Sequence, residues 1–280
     1  MLKRWIKKIV ERKQLTSQAQ QAKPQVKLKT IALPAQHGGW GFLLEPILLG
    51  MLLAASWAGL GVSIAALGAF LTHQPLKILV KDRRKGKRYT RTILAERFVP
   101  GYGALAVIGL MLALFNSDTS FLLPLVGAVP LGAIQLVYEF ENDGRNVIAE
   151  IAGAVAFGSV ASMITLCAGW GITSALVLWL ILAVRAVVSI LYVRARLRLE
   201  KSKPAPIVST IWWHVAGLII YTGLVIAGYA PWTILLAGSV LLGRAGYGLS
   251  PYRKQVSPKV IGFSEMAYGL LTVILVVIGW

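Results

Sequence analysis

Apolar residues run through this chain in long blocks rather than at helical or strand intervals. From about position 36 to the last residue, nine blocks approach or exceed the roughly 20 residues that a helix needs to cross a hydrocarbon core. They cover about 36–56, 58–80, 100–116, 119–138, 146–168, 172–193, 206–228, 231–249 and 262–280. The pattern predicts an all-α, polytopic transmembrane bundle of about nine spans. Ahead of it, "MLKRWIKKIVERK" puts Leu2, Trp5, Ile6, Ile9 and Val10 on one helical face, with Lys3, Arg4, Lys7, Lys8 and Arg12 around the rest. That is the signature of a helix lying among lipid head groups. "QLTSQAQQAKPQVKLK" then reads as a linker. The chain divides into a basic amphipathic tail with its linker over 1–35 and a transmembrane domain over 36–280.

Composition agrees with a membrane reading: 56% of the 280 residues are hydrophobic, only 14% are charged, and mean hydropathy is +0.69. A soluble domain is about a quarter charged. The net charge of +18 would point to nucleic acid in a soluble protein. In a membrane protein it reports topology and contact with anionic lipid instead, so lipid is the expected partner and nucleic acid is not. The single cysteine, Cys167, rules out an internal disulfide. All 29 Lys and Arg residues fall in the tail or at connections after even-numbered spans, including the span ends beside them. Connections after odd-numbered spans ("AASWAGLG", "NSDTS", "CAGWGIT", "AGYAPW") carry only Asp118. The positive-inside rule then sets the N-terminus in the cytoplasm and the C-terminus outside, with Trp57, Trp170, Trp232 and Trp280 as an outer aromatic belt.

Ionisable groups inside spans are costly in hydrocarbon and turn toward the bundle interior or water, so they mark candidate sites. His37, Gly41 and Glu45 fall at i, i+4, i+8 on one face of the first span, and Pro46 removes a backbone hydrogen bond beside them. Glu45 is either a carboxylate facing a polar cavity or half of an ion pair with another helix. His73, Lys77 and Lys81 share a face around Pro75 and lead into a dense basic loop, which fits snorkelling to an anionic leaflet. The sixth span carries Arg185, with Ser189 and Tyr192 on a similar face and Arg194, Arg196 and Arg198 at the interface. His214 lies in the seventh span, Arg244 and Tyr247 end the eighth, and Glu265 opens the ninth. These groups lie in the basic half or no deeper than the middle, which points to a site open to the cytoplasm.

"YEFENDGRN" gathers Glu139, Glu141 and Asp143 between two spans. It reads as a helix stop followed by a cap, with Asp143 and Asn146 at the start of the fifth span, Glu150 near its positive dipole end, and a local Glu141–Arg145 pair. A magnesium ion held by two of these carboxylates and a substrate phosphate is the other reading, and no further cofactor is expected. In the fifth span Ala154, Gly158 and Ser162 line one face, which permits close helix packing.

"QHGGWGFLLEPILLGMLLAASWAG", "HQPLKILVKDRRKGKRYTR", "YEFENDGRNVIAEIAGA" and "RAVVSILYVRARLRLEK" together resemble the YwiC-like family of bacterial integral membrane proteins, from about Ala35 onward. The resemblance implies a bacterial cytoplasmic (inner) membrane and names no chemistry. The span count and the polar second-to-third and sixth-to-seventh connections are also similar to the UbiA-type intramembrane prenyltransferases. Tyr138, Arg145, Gly153 and Gly158 resemble the stretch leading into that superfamily's fifth helix. Those enzymes hold magnesium and a prenyl diphosphate with aspartate-rich motifs, whereas the matching stretches here offer His73, Lys77, Lys81 and Asp82, then Arg185, Arg194 and Arg196. What carries over is a UbiA-like arrangement that binds phosphate through Lys and Arg, without the usual magnesium-dependent transfer.

Three functions follow. In the first, a cytoplasm-facing polar pocket binds an isoprenoid or lipid phosphate: His73, Lys77, Arg185 and Arg244 hold the head group, with His37, Tyr138 and Arg145 among the binding residues. Glu45, Glu150 and Glu265 then serve as counter-charges or acid–base groups, and whether chemistry occurs stays open. In the second, the protein is a transporter with Glu45, His37 and His214 carrying protons. In the third, it is a non-catalytic membrane scaffold with a basic tail.

Overall fold

Helices are the form in which an apolar segment can satisfy its own backbone hydrogen bonds inside lipid, and the computed structural model of the chain is helical throughout its long apolar blocks. It describes residues 5, 28–34, 37–141 and 143–280, with His37 described by its backbone alone. The amphipathic tail and linker predicted over 1–35 fall outside the described residues except for Trp5 and 28–34, and so does the side chain of His37. A short helix α1 (Leu28–Ala32) precedes α2 (His37–Leu53), α3 (Trp57–Arg84) and α4 (Thr90–Asn116). A 3₁₀ turn (Thr119–Leu122) leads into α5 (Leu125–Phe140). Then come α6 (Val147–Cys167), α7 (Ile172–Glu200), α8 (Ile207–Ile226), α9 (Thr233–Leu249) and α10 (Pro258–Gly279).

The nine expected spans correspond in order to α2 through α10. Seven of these segments are long and apolar enough to cross a membrane. The other two, α2 and α9, are apolar helices of 17 residues, about 25 Å long at 1.5 Å per residue. The protein is a multi-pass membrane protein.

Two boundaries differ from the expectation. The third span, expected to start near 100, begins at Thr90, and the dense basic loop shrinks to a turn at 85–89. Asp82 explains this. Fully buried, it accepts from Arg91 Nε (2.9 Å), Arg91 Nη2 (2.5 Å) and the Thr92 hydroxyl (2.7 Å), which ties the first turn of α4 to the last turn of α3. The sixth span runs on to Glu200 rather than ending near 193, because its polar last turns are held. Arg196, expected to be an interfacial cation, is buried and donates to the carbonyls of Gly248 and Lys254 while pairing with Glu200 at 2.9 Å.

Small residues decide which helices touch. Between α3 and α4 the backbones meet directly: a Cβ on Gly61 would sit 2.6 Å from the Ala113 nitrogen, and one on Gly68 2.5 Å from that of Ala106. The expected small face of α6 packs on α7. Ala154 clusters with Ala186 and Ile190, Gly158 lies under Trp179, and the Ser162 hydroxyl donates to the Ala175 carbonyl. These two helices form the buried centre, packed with Leu49, Ile181, Tyr221 and Val273.

Hydrogen bonds define the two ends. Arg84 Nη1 donates to the Phe140 carbonyl, Arg194 Nη1 to that of Arg145, and the Val256 amide to Glu200. The ends of α3, α5, α7 and the α9–α10 connection therefore meet, and this is the basic end. At the opposite end Ser117 reaches the Cys167 carbonyl, Trp170 packs on Trp280, and Trp57 and Trp232 are exposed.

Candidate functional site

Two separate groups of charged side chains occupy the basic half. The first lies in the seam where the end of α3 passes the end of α5. His73, Lys77, Lys81, Arg84 and Lys85 follow one another at i, i+4, i+8, i+11, i+12, so they share a helical face. Glu139 on α5 points at that face. Only 6% exposed, it accepts from Lys77 Nζ at 2.8 Å and pairs with His73 Nε2. Arg84 donates to the Phe140 carbonyl at 3.1 Å and lies over the Phe140 ring, 5.5 Å from its centroid. Lys77, Val80, Lys81, Arg84, Lys85, Glu139 and Phe140 line a cleft of about 120 Å³, in which four cations face one carboxylate.

The second group is a clamp inside the bundle. Arg185 of α7 is 2% exposed, and it pairs with Glu45 of α2 at 2.7 Å and donates to the Glu265 carbonyl of α10 at 2.9 Å. Gly269 makes room, since a Cβ there would collide with the Glu45 carboxyl. The Glu265 side chain takes Arg244 of α9 at 2.5 and 2.6 Å. That guanidinium lies over Tyr192 and Tyr268, at 4.2 and 5.1 Å. His214 of α8 completes the chain. Its Nδ1–H donates to the Thr210 carbonyl at 2.8 Å, so the Nε2 lone pair faces Arg244 Nη2 at 3.4 Å. Two carboxylates, two guanidinium groups and one neutral imidazole thus join five helices, with both charges of each pair accounted for.

Of the cations assigned above to one head group, His73 and Lys77 therefore lie together, while Arg185 and Arg244 belong to the clamp. The α3–α5 cleft is not lined by Arg185 or Arg244, and neither is a second cavity at the basic end. The second cavity, about 380 Å³, lies between Leu197, Glu200, Lys201 and the stretch 255–258. The three candidate acid–base carboxylates each hold a different arginine: Glu45 takes Arg185, Glu265 takes Arg244, and Glu150 takes Arg194 at 2.8 Å. Glu45 thus resolves into the ion-pair reading. Both ring nitrogens of His214 are engaged within the clamp.

The acidic corner divides as well. Asn146 caps α6 through the Ile148 amide, steadied by Asp143 at 2.9 Å, and Glu150 stands in the first turn. Glu139 turns inward while Glu141 and Asp143 face outward, and among the described residues no three potential ligands gather as a metal group. Glu141 and Arg145 are both exposed and form no ion pair with each other. Tyr138 is half-buried, and its carbonyl accepts the Asp143 amide. Gly153 packs under Gln135. Asp118 stands at the far end as the cap of the 3₁₀ turn, where the Ser120 hydroxyl and amide hold its carboxyl below the usual range.

Arg84, Lys85 and Phe140 complete the cleft without having stood out in the sequence. The i, i+4, i+7, i+8 spacing from Lys77 was the available signal, hidden because the segment reads as one basic loop. Neither the curated proteins nor the solved structures contain a match to this chain. Residues 33–165, a stretch that runs from α2 into the last turn of α6 and holds the whole α3–α5 cleft, match the family model described as YwiC-like protein. Over that stretch, 133 of the 280 residues, the chain is similar to the YwiC-like family.

Proposed function

We propose that the protein binds the phosphate-bearing head group of a membrane amphiphile, an isoprenoid or lipid phosphate, in the α3–α5 cleft on the cytoplasmic face of a bacterial inner membrane. One observation carries the reading: Lys77, Lys81, Arg84 and Lys85 converge on a small cleft that holds a single carboxylate. Lysine and arginine bind phosphate directly through charge-assisted hydrogen bonds, so no metal is needed to bridge them. The cleft sits where the sparsely packed α3–α5 seam meets the basic end. A tail can lie along the exposed side chains of α5, Val126, Val129 and Val137, while the head group reaches the cations. The clamp of Glu45, Arg185, Glu265 and Arg244 is the scaffold that holds the bundle, not part of the binding surface. On this reading the N-terminus is cytoplasmic and the C-terminus external, which the placement of the basic connections supports; reporter fusions at the two termini should read opposite sides.

The test uses full-length protein in detergent micelles with dodecyl phosphate as probe. At a probe concentration 100 times Kd, binding adds about 2.7 kcal/mol and raises the melting temperature. Lys81→Ala and Lys85→Ala, both at exposed positions, should abolish most of that shift and leave the probe-free melt unchanged. A wild-type protein that melts identically with and without the probe refutes the reading.

A further inference from the structure

We infer that residues 76–99, the basic end of the α3–α4 hairpin, form an arm hinged on two prolines, and that phosphate binding to its cations releases the arm from α5; the inference rests on the head-group reading above. The two helices keep one antiparallel register along their length. Gly61 lies against Ala113, Ala65 against Gly109 and Gly68 against Ala106, and Asp82 accepts from Thr92. Each step forward on α3 is therefore one step back on α4, which sets Pro75 level with Pro100. A proline inside a helix removes the hydrogen bond to the residue four places earlier and makes that turn a bending point. Both helices of the hairpin lose that bond at the same height.

On the far side of the hinge from the basic end, α3 is fixed. Phe70 packs edge-on against Trp40 of α2 at 5.0 Å and Phe157 of α6 at 5.7 Å. Past the hinge, no residue of 76–99 joins an apolar cluster of the bundle among the described residues. The arm holds itself together instead: buried Asp82 takes Arg91 and Thr92, and Glu96 takes Arg88 at 2.6 Å. Beside the hinge, Gln74 donates to the Thr30 carbonyl of α1 at 3.3 Å. Across the seam, Lys77 reaches Glu139 at 2.8 Å and Arg84 reaches the Phe140 carbonyl at 3.1 Å. Lys77 is half-buried and Arg84 exposed, so water screens both contacts and each is weak. His73 stands on the fixed side of Pro75 and also pairs with Glu139, so the carboxylate keeps a partner when Lys77 leaves.

The latch is thus an attraction between a row of cations on the arm and one carboxylate on α5. A terminal phosphate carries a charge of about −1.5 to −2 at neutral pH. Held by Lys81 and Lys85 and drawing on Lys77, it cancels the arm's positive charge and sets a negative one beside Glu139. Attraction across the seam becomes repulsion, and the arm swings out. By linkage, whatever frees the arm also tightens phosphate binding. Lys85 lies ten residues beyond Pro75, about 15 Å along the helix, so a bend of about 20° moves the tip by roughly 5 Å.

Spin labels on Lys87→Cys and Glu141→Cys, both exposed positions, report the arm-to-α5 distance by double electron–electron resonance. Labels on Glu141→Cys and Lys201→Cys report the body of the bundle. Both pairs are placed in full-length Cys167→Ser protein in micelles. Saturating dodecyl phosphate should lengthen the arm distance by about 5 Å and leave the body distance unchanged. Lys77→Gln should show the longer arm distance without the probe. Pro75→Ala/Pro100→Ala, which restores both helix hydrogen bonds, should keep the short distance with the probe present and weaken its binding. An arm distance unchanged by the probe in wild type, or a long distance that persists in the double proline variant, overturns the inference. A probe-induced rise in melting temperature in the same sample then leaves the head-group site standing. Absence of that rise in wild type removes the head-group reading, and this inference with it.

Discussion

Replacing Arg185 with methionine keeps most of the side chain's length and removes its charge from the centre of the bundle. Glu45 then loses the guanidinium 2.7 Å away, and the Glu265 carbonyl loses a donor at 2.9 Å. Breaking a buried pair by deleting one partner costs about 3–5 kcal/mol, because the other charge stays behind without compensation. Deleting the charge-assisted bond to the carbonyl accounts for about 1.5–3 kcal/mol on its own. The two overlap in one substitution, so a loss of about 4–5 kcal/mol is expected for Arg185→Met. Glu45→Leu leaves a guanidinium that still has the Glu265 carbonyl, so a loss of about 3 kcal/mol is expected. The double variant Glu45→Leu/Arg185→Met contains no stranded charge and should lose only about 1–2 kcal/mol, mainly from the carbonyl. The cycle is read by reversible unfolding of purified protein in mixed micelles, following helical circular dichroism. Single variants within about 1 kcal/mol of wild type, or a double variant no more stable than Arg185→Met, would show that the pair does not hold the bundle.

Gly68→Leu drives a side chain into the backbone of α4, where a Cβ alone would come within 2.5 Å of the Ala106 nitrogen. It should cost several kcal/mol, well above the roughly 1–3 kcal/mol of ordinary overpacking, and should lower cross-linking between cysteines placed along α3 and α4. Asp82→Ala strands Arg91 and Thr92 and frees the 85–89 turn, so limited proteolysis there should speed up while the transmembrane helices melt with a loss of about 1–3 kcal/mol. Asp118 titrates below its ordinary value of 3.8 because Ser120 binds the carboxylate. Its stabilising contribution is therefore present above that value and lost as pH falls through the lower folded one. Asp118→Ala should flatten the acid limb of the stability curve below about pH 4 and leave its shape above about pH 5 unaltered.

The span count was legible because nine apolar blocks are long relative to a bilayer, and basic residues mark every second connection. The cap at Asn146 and the small face of α6 were legible too, since both are set by residues within a few positions of one another. The partners of buried charges were not. Glu45 and Glu265 each align with several basic residues by depth alone, and nothing in local spacing tells Arg185 from Arg244. The cleft fell between these cases. Its four cations follow a helical period through "KILVKDRRK", but a segment so rich in lysine and arginine reads as loop until Asp82 is seen closing the turn. The contact of α3 with α4 was written at Gly61, Ala65 and Gly68, spaced four and three apart, but small residues are common in apolar spans and do not name the helix they meet.

Arg185 is synthesised 140 positions after Glu45, yet each is the other's counter-charge. At about 5–20 residues per second, α2 emerges from the ribosome roughly 7 to 28 seconds before its partner exists. During that interval its acidic group must be shielded by the insertion machinery, by water, or by a temporary neighbour. The ion pair that fixes α2 in the bundle can therefore close only after the sixth span has been made.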